Sequence, residues 1–153
     1  MYTRILVTLE NSAADETILA HVRRLAGFCH SSVVLIHVAD GWSARYGEAL
    51  SMRESEEMRE DREYLERRRA ELASQGFKVE AVLAGGDPAK EIVAAAEREK
   101  VELIAMATHG HGFVNDLLRG SVANSVRHQT TVPVLLVRSP GQGPGVRDQG
   151  SGL

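Results

Sequence analysis

A chain of 153 residues that is 43% hydrophobic, 25% charged and 5% aromatic, with four prolines, is one domain's worth of sequence, long enough to bury roughly two thirds of the surface its unfolded form exposes. Its 18 Lys and Arg against 21 Asp and Glu leave a formal charge of -3, so no basic field exists to hold nucleic acid or an anionic membrane. There is no run of about 18 consecutive apolar residues, and the apolar stretch after Met1-Tyr2-Thr3-Arg4 is too short for a signal-peptide core. A soluble cytoplasmic protein is expected. The single Cys29 excludes an intrachain disulfide and a cysteine-based zinc finger.

Residues 3–9 open the chain with a short apolar run that suits a strand, and 33–38, 101–107 and 132–137 repeat the pattern with many β-branched residues. Residues 77–83 alternate more clearly, as an edge or half-covered strand should. Between these runs the period becomes helical. Ile18, Val22, Leu25 and Cys29 share one face of 14–29, and Ala89, Ile92, Val93 and Ala96 share one face of 88–99. The second of these helices has Asp87 as its N-cap and Pro88 at its first position, where a missing N–H does no harm. Residues 48–75 are helical but very polar, with Met58, Leu65 and Leu72 at seven-residue spacing. That narrow seam fits a helix lying on a sheet with its outer face solvated, not a coiled coil. Residues 139–153 hold five glycines and two prolines without apolar period and read as a disordered tail following a domain of residues 1–138.

The alternation β-α-β-α-β-α-β-α-β predicts a parallel sheet with helices on both faces, a three-layer Rossmann-like sandwich joined by right-handed crossovers. Ligands in such folds sit outside the carboxyl ends of the strands, where the strand order reverses. Attention therefore falls on the loops after Leu9, Val38 and Ala107. The last of these runs Thr108-His109-Gly110-His111-Gly112 and reaches Gly120-Ser121-Val122 as another helix is expected to open. Glycine allows close approach of backbone to a ligand, and a serine-capped helix start offers free N–H groups to a phosphate. Read alone, the same glycines serve equally as turns and Ser121 as a cap.

The spacing Ala107-x2-Gly110-x9-Gly120-Ser121, with Ile5-Leu6-Val7, Val34-Leu35-Ile36-His37-Val38 and Gly86-Asp87-Pro88-Ala89, resembles the universal stress protein family over residues 3–138. The resemblance implies a five-stranded parallel sheet of order 3-2-1-4-5, a two-fold dimer and, in the nucleotide-binding branch, ATP or its di- or monophosphate with magnesium. Carried over, Leu9 and Glu10 would face the nucleoside, Val38 and Met106 would flank adenine, and Ala107, Gly110, Gly120, Ser121 and Val122 would hold ribose and phosphates, with His109 in the same loop. Three positions depart from the family's pattern: Glu10 is one methylene longer than the usual aspartate, Ala107 replaces the motif's first glycine, and His111 stands where a lysine or arginine is common.

Other residues carry competing readings. His109, His111 and Glu10 are three metal-type ligands, but spacing fixes no fourth, and the expectation is no metal site, with His109 an ordinary loop histidine donating to a backbone carbonyl and His111 a solvent-facing variant. His37 reads as a satisfied strand-end residue and Cys29 as core. Asp40, Trp42 and Tyr46 suit either stacking on a base or packing of their own loop. No serine, histidine and acid are arranged as a nucleophilic triad, so the reading is a regulatory nucleotide-binding protein. A slow ATP hydrolase or phosphoryl-transfer enzyme using His109 or Glu10, and an interaction module without nucleotide, are the alternatives. Val132 to Val137, an apolar edge strand without a blunting charge, is the expected homodimer contact.

Overall fold

The fold is taken from a computed structural model that describes residues 1–40, 51–109 and 116–140, with the side chains of 40, 51–55, 109 and 116–121 outside that description. The elements are β1 (Arg4–Thr8), α1 (Ala14–Cys29), β2 (Ser32–Asp40), α2 (Ser51–Ser74), β3 (Val79–Gly86), α3 (Pro88–Arg98), β4 (Leu103–His109), α4 (Asp116–Gln129) and β5 (Val134–Ser139). All strand pairs are parallel and their order is β3-β2-β1-β4-β5. This is the expected three-layer sandwich.

The two-residue period of the strands sorts the core into two layers. Ile5, Val7, Val33, Leu35, Leu103 and Ala105 point to the face covered by α1 and α2, meeting Ile18, Leu19, Val22, Leu65 and Leu72. Leu6, Val34, Ile36, Ile104 and Met106 point the other way, to Ala89, Ile92, Val93, Ala96, Ala123 and Val126 of α3 and α4. The polar helix α2 buries the seam its spacing predicted, with Leu65 and Leu72 fully inside and Met58 half-buried. Asp87 caps α3, its carboxylate accepting from Lys90 N at 3.0 Å, and Pro88 follows at the first turn. Gly86 makes the bend before this cap at φ +127, where an added Cβ would also crowd the Glu91 side chain.

Several expectations are corrected. β3, β4 and β5 each begin two residues later than their apolar runs. Burial, not ladder pairing, explains the offset: Phe77, Val101 and Val132 pack against the core layers before their strands start. Ser139, expected to open the tail, is the buried end of β5. The last helix begins at Asp116 and not at Ser121. Leu117, Leu118 and Arg119 are strong helix formers, so the helix does not wait for the Gly-Ser pair. Cys29 is half-buried at the end of α1, and Ala26 completes the apolar stripe in its place.

The seam on α2 makes a direct stability test. Leu65→Ala should cost about 3 kcal/mol through lost transfer energy and the cavity left between α2 and the sheet, whereas Glu63→Ala on the exposed side should stay within about 0.5 kcal/mol. Urea denaturation monitored by circular dichroism reads both.

Candidate functional site

Strand order reverses between β1 and β4, because β1 feeds a crossover on one face and β4 on the other. At the carboxyl ends of these strands and of β2 lies a cavity of about 240 Å³ lined by Thr8, Leu9, Glu10, Ile36, His37, Val38, Pro88, Ile92, Met106, Ala107 and Val122. Its walls are largely apolar. Polar atoms come from Thr8, Glu10 and His37 on the β1–β2 side.

The turn after β1 is built by a buried carboxylate. Asp15, in the first turn of α1 and 1% exposed, accepts from Glu10 N and Asn11 N at 2.9 Å each and from the Tyr64 hydroxyl at 2.5 Å. Asn11 takes a left-handed backbone at φ 61 to complete the turn. Leu9 continues the strand with its N–H on the Ile36 carbonyl at 2.8 Å. Glu10 is thus presented from a fixed main chain, and the Ser12 hydroxyl donates to its carboxylate at 3.4 Å.

From the other side, His37 Nδ1 donates to the Leu9 carbonyl at 2.9 Å, and its Nε2 lies 3.3 Å from Asp61 of α2. Asn11 Nδ2 donates to the second oxygen of Asp61 at 3.4 Å. Arg67 and Arg68 lie over the Tyr64 ring at 5.5 and 5.7 Å, and Arg68 pairs with Glu16 of α1 at 2.8 Å. Burial, then the bond to Asp15, pushes the Tyr64 phenol well above the ordinary tyrosine range.

Of the residues singled out from sequence, Leu9, Glu10, Val38, Met106, Ala107 and Val122 meet at this cavity. The backbone of His109 ends β4 and that of Gly120 and Ser121 runs inside α4. Their side chains lie outside the described residues, as do Gly110, His111, Trp42 and Tyr46 and the side chain of Asp40. Among the described residues no group of three or more His, Cys, Asp or Glu could hold a metal ion. Sequence reasoning missed Thr8, Ile36, Pro88 and Ile92, and it read His37 as satisfied without placing it on the cavity. The signal for Pro88 was present: it starts the helix that leaves β3 at the same edge of the sheet, and Ile92 follows one turn later.

The model of the universal stress protein family matches residues 1–138. The chain belongs to the universal stress protein family. It is 30% identical over 155 aligned positions to a universal stress protein of Methanocaldococcus jannaschii, covering 90% of this chain and 96% of the relative. The solved structure of that archaeal protein superposes with a TM-score of 0.80 at 32% identity, covering 91% of this chain and 97% of the other. A universal stress protein from Archaeoglobus fulgidus solved in complex with dAMP matches with TM-score 0.66 at 22% identity, covering 89% and 98%. One solved in complex with cAMP matches with TM-score 0.65 at 17% identity, covering 90% and 97%. The last two likenesses speak to the fold.

The Tyr64 clasp has a consequence at high pH. The phenol keeps its proton in the folded chain beyond the ordinary value near about 10, at which unfolded tyrosine ionises. The unfolded state therefore loses the proton first, and stability present below that pH declines above it. Absorbance titration should find one of the three tyrosines resisting ionisation in the native protein, and Tyr64→Phe should remove the resistant fraction.

Proposed function

We propose that this universal stress protein binds an adenine nucleotide, ATP, at the carboxyl ends of β1 and β4, and acts as a cytoplasmic stress-response regulator through its occupancy. The observation that carries the reading is the cavity at the strand-order reversal, with six of the residues expected from the motif on its wall. Leu9, Val38 and Met106 supply apolar surfaces to a purine, and Glu10 supplies an acceptor on a rigid main chain. Two structural relatives were solved with adenine nucleotides, cAMP and dAMP, which supports the ligand class. The phosphates are assigned to the segment from Gly110 to Val122. Magnesium would arrive on them, since it keeps waters and substrate phosphates as ligands and asks little of the protein.

Calorimetric titration of ligand-free protein with ATP and magnesium tests this reading, and absence of heat removes it. Gly120→Val should abolish binding with the fold retained, because valine is no worse than glycine within a helix but its branched side chain obstructs phosphate. Ala107→Gly should tighten binding by removing a methyl from the wall.

The homodimer is proposed on β5. It is the edge of the sheet beyond β4, and Leu136 is 39% exposed there, while Leu135 and Val137 pack inward against the α1 and α2 layer. Antiparallel pairing with a second copy would satisfy the open ladder and cover Leu136. Light scattering should give a dimer for the parent and a monomer for Leu136→Lys. A parent that is monomeric at micromolar concentration removes the proposal.

A further inference from the structure

The sheet has two edges, and β3 is the one that a dimer built on β5 leaves to solvent. Val33 N donates to the Lys78 carbonyl at 2.8 Å, and Val33 stands opposite Val79 in the register. A parallel ladder in that phase turns the main-chain groups of residues 80, 82, 84 and 86 towards β2. Those of Val79, Ala81, Leu83 and Gly85 therefore point outward, and among the described residues nothing bonds them. The devices that usually close such an edge are missing. β3 is eight residues long without proline or lysine, its register runs unbroken to Gly86 opposite Asp40, and its one charge, Glu80, is held by Arg4 at 3.3 Å.

Beside this edge, between β3 and α2, lies a hollow of about 270 Å³ lined by Arg62, Leu65, Glu66, Ala81 and Leu83. The sequence makes it: Val79 and Leu83 pack against the α1 and α2 layer, and the small Ala81 between them is exposed. A strand laid along β3 would send every second side chain to this face. The hollow offers one of them an apolar seat. The charges around it are unbalanced. Arg62, Glu66 and Arg69 share one stripe of α2, where Glu66 accepts two hydrogen bonds from Arg69. With Glu66 and Glu80 both committed to arginines of this chain, Arg62 beside the hollow and Lys78 at the amino end of β3 are left without an ion pair among the described residues.

We infer that the edge of β3 and the hollow beside it form a docking site for an extended acidic segment of a partner protein, added to the five-stranded sheet as a further strand. The outward main-chain groups of β3 bind the backbone of the segment, the hollow takes one apolar side chain, and Arg62 and Lys78 meet its carboxylates. A second copy of this chain fits less well, because two-fold pairing of β3 with β3 would set the Arg62 and Lys78 of one subunit against those of the other. The site is separate from the cavity at the carboxyl ends of β1 and β4, so this inference does not depend on the nucleotide reading.

A phage-displayed library of random dodecapeptides, selected on the full chain, is the probe. The selected sequences should alternate apolar and polar residues and carry aspartate or glutamate. Ala81→Pro removes one outward N–H without touching the bonds to β2, a change that edge strands accept. Arg62→Glu reverses the free charge on the exposed side of α2 and keeps the test decisive should Ala81→Pro fail to fold. Each should weaken a selected peptide by about fivefold or more, read by fluorescence anisotropy, with circular dichroism reporting the fold. In the complex, amide hydrogen exchange should slow at Val79, Ala81, Leu83 and Gly85. Selection of no such sequence, or peptides that bind Arg62→Glu and folded Ala81→Pro as they bind the parent, overturns the inference. So does light scattering in which Ala81→Pro lowers the mass of the parent, since the edge would then be a contact between copies.

Discussion

The Asp15 carboxylate is the interaction on which the shape of the cavity depends. Taking an ionised group out of water costs several kcal/mol unless its lone pairs are matched by donors. Here two consecutive backbone N–H groups and a phenol supply the match, and the first turn of a helix adds the favourable end of its dipole. The relation is mutual. The N–H groups of Glu10 and Asn11, turned away from any strand partner, need an acceptor as much as the carboxylate needs donors. The chain consequently leaves β1 in one direction only, with Asn11 in a left-handed conformation and Glu10 on the cavity wall.

The two ends of the sheet are built differently. At the amino ends of the strands, Arg4 bonds the Glu99 carbonyl at 2.9 Å and the Glu99 carboxylate at 2.6 Å, and reaches Ser32 and Glu80 at 3.3 Å each. Glu102 accepts from both the N–H and the hydroxyl of Thr3, which holds its carboxyl below the usual range. β1, β2, β3 and the start of β4 are thus tied together there by side chains. At the carboxyl ends the crossovers of β1 and β4 leave on opposite faces of the sheet. The crevice is a consequence of parallel topology, and the tied end lets it stay open without loosening the sheet.

The fold was legible because burial leaves its period on the chain. Leu65 and Leu72 stood out of a charged background by spacing, and Asp87-Pro88 marked a helix start by chemistry. Strand ends were less legible, since Val101 and Val132 are apolar for packing and not for pairing. Half of the cavity followed from the motif residues, but the clasp behind it did not. Asp61, Tyr64 and Arg68 sit in a stretch where nearly every residue is charged, and the sequence does not mark which of them face inward. Asp15 was hidden in another way: an acidic residue in a first helical turn is explained well enough by the helix dipole. Its burial and its three donors come from the turn and from a helix some fifty positions away.

The polarity of α2 follows from the same clasp. A helix that only covered a sheet would gain from a broad apolar stripe, yet the inward side of α2 alternates Leu65 and Leu72 with Asp61, Tyr64 and Arg68. The leucines hold the helix to the sheet, and the polar residues hold the turn after β1 to the helix. Each such hydrogen bond is worth about 1 kcal/mol net, and the few that join α2 to the turn sum to the size of an ordinary coupling energy, about 1–3 kcal/mol. Coupling of that size is reciprocal. A ligand that favours this arrangement of Leu9 and Glu10 over any other would stabilise the bonds between the turn and α2 by the same amount. The path from the cavity wall to the outside of the molecule is short: the turn after β1, two side chains one helical turn apart on α2, and the outer face of that helix.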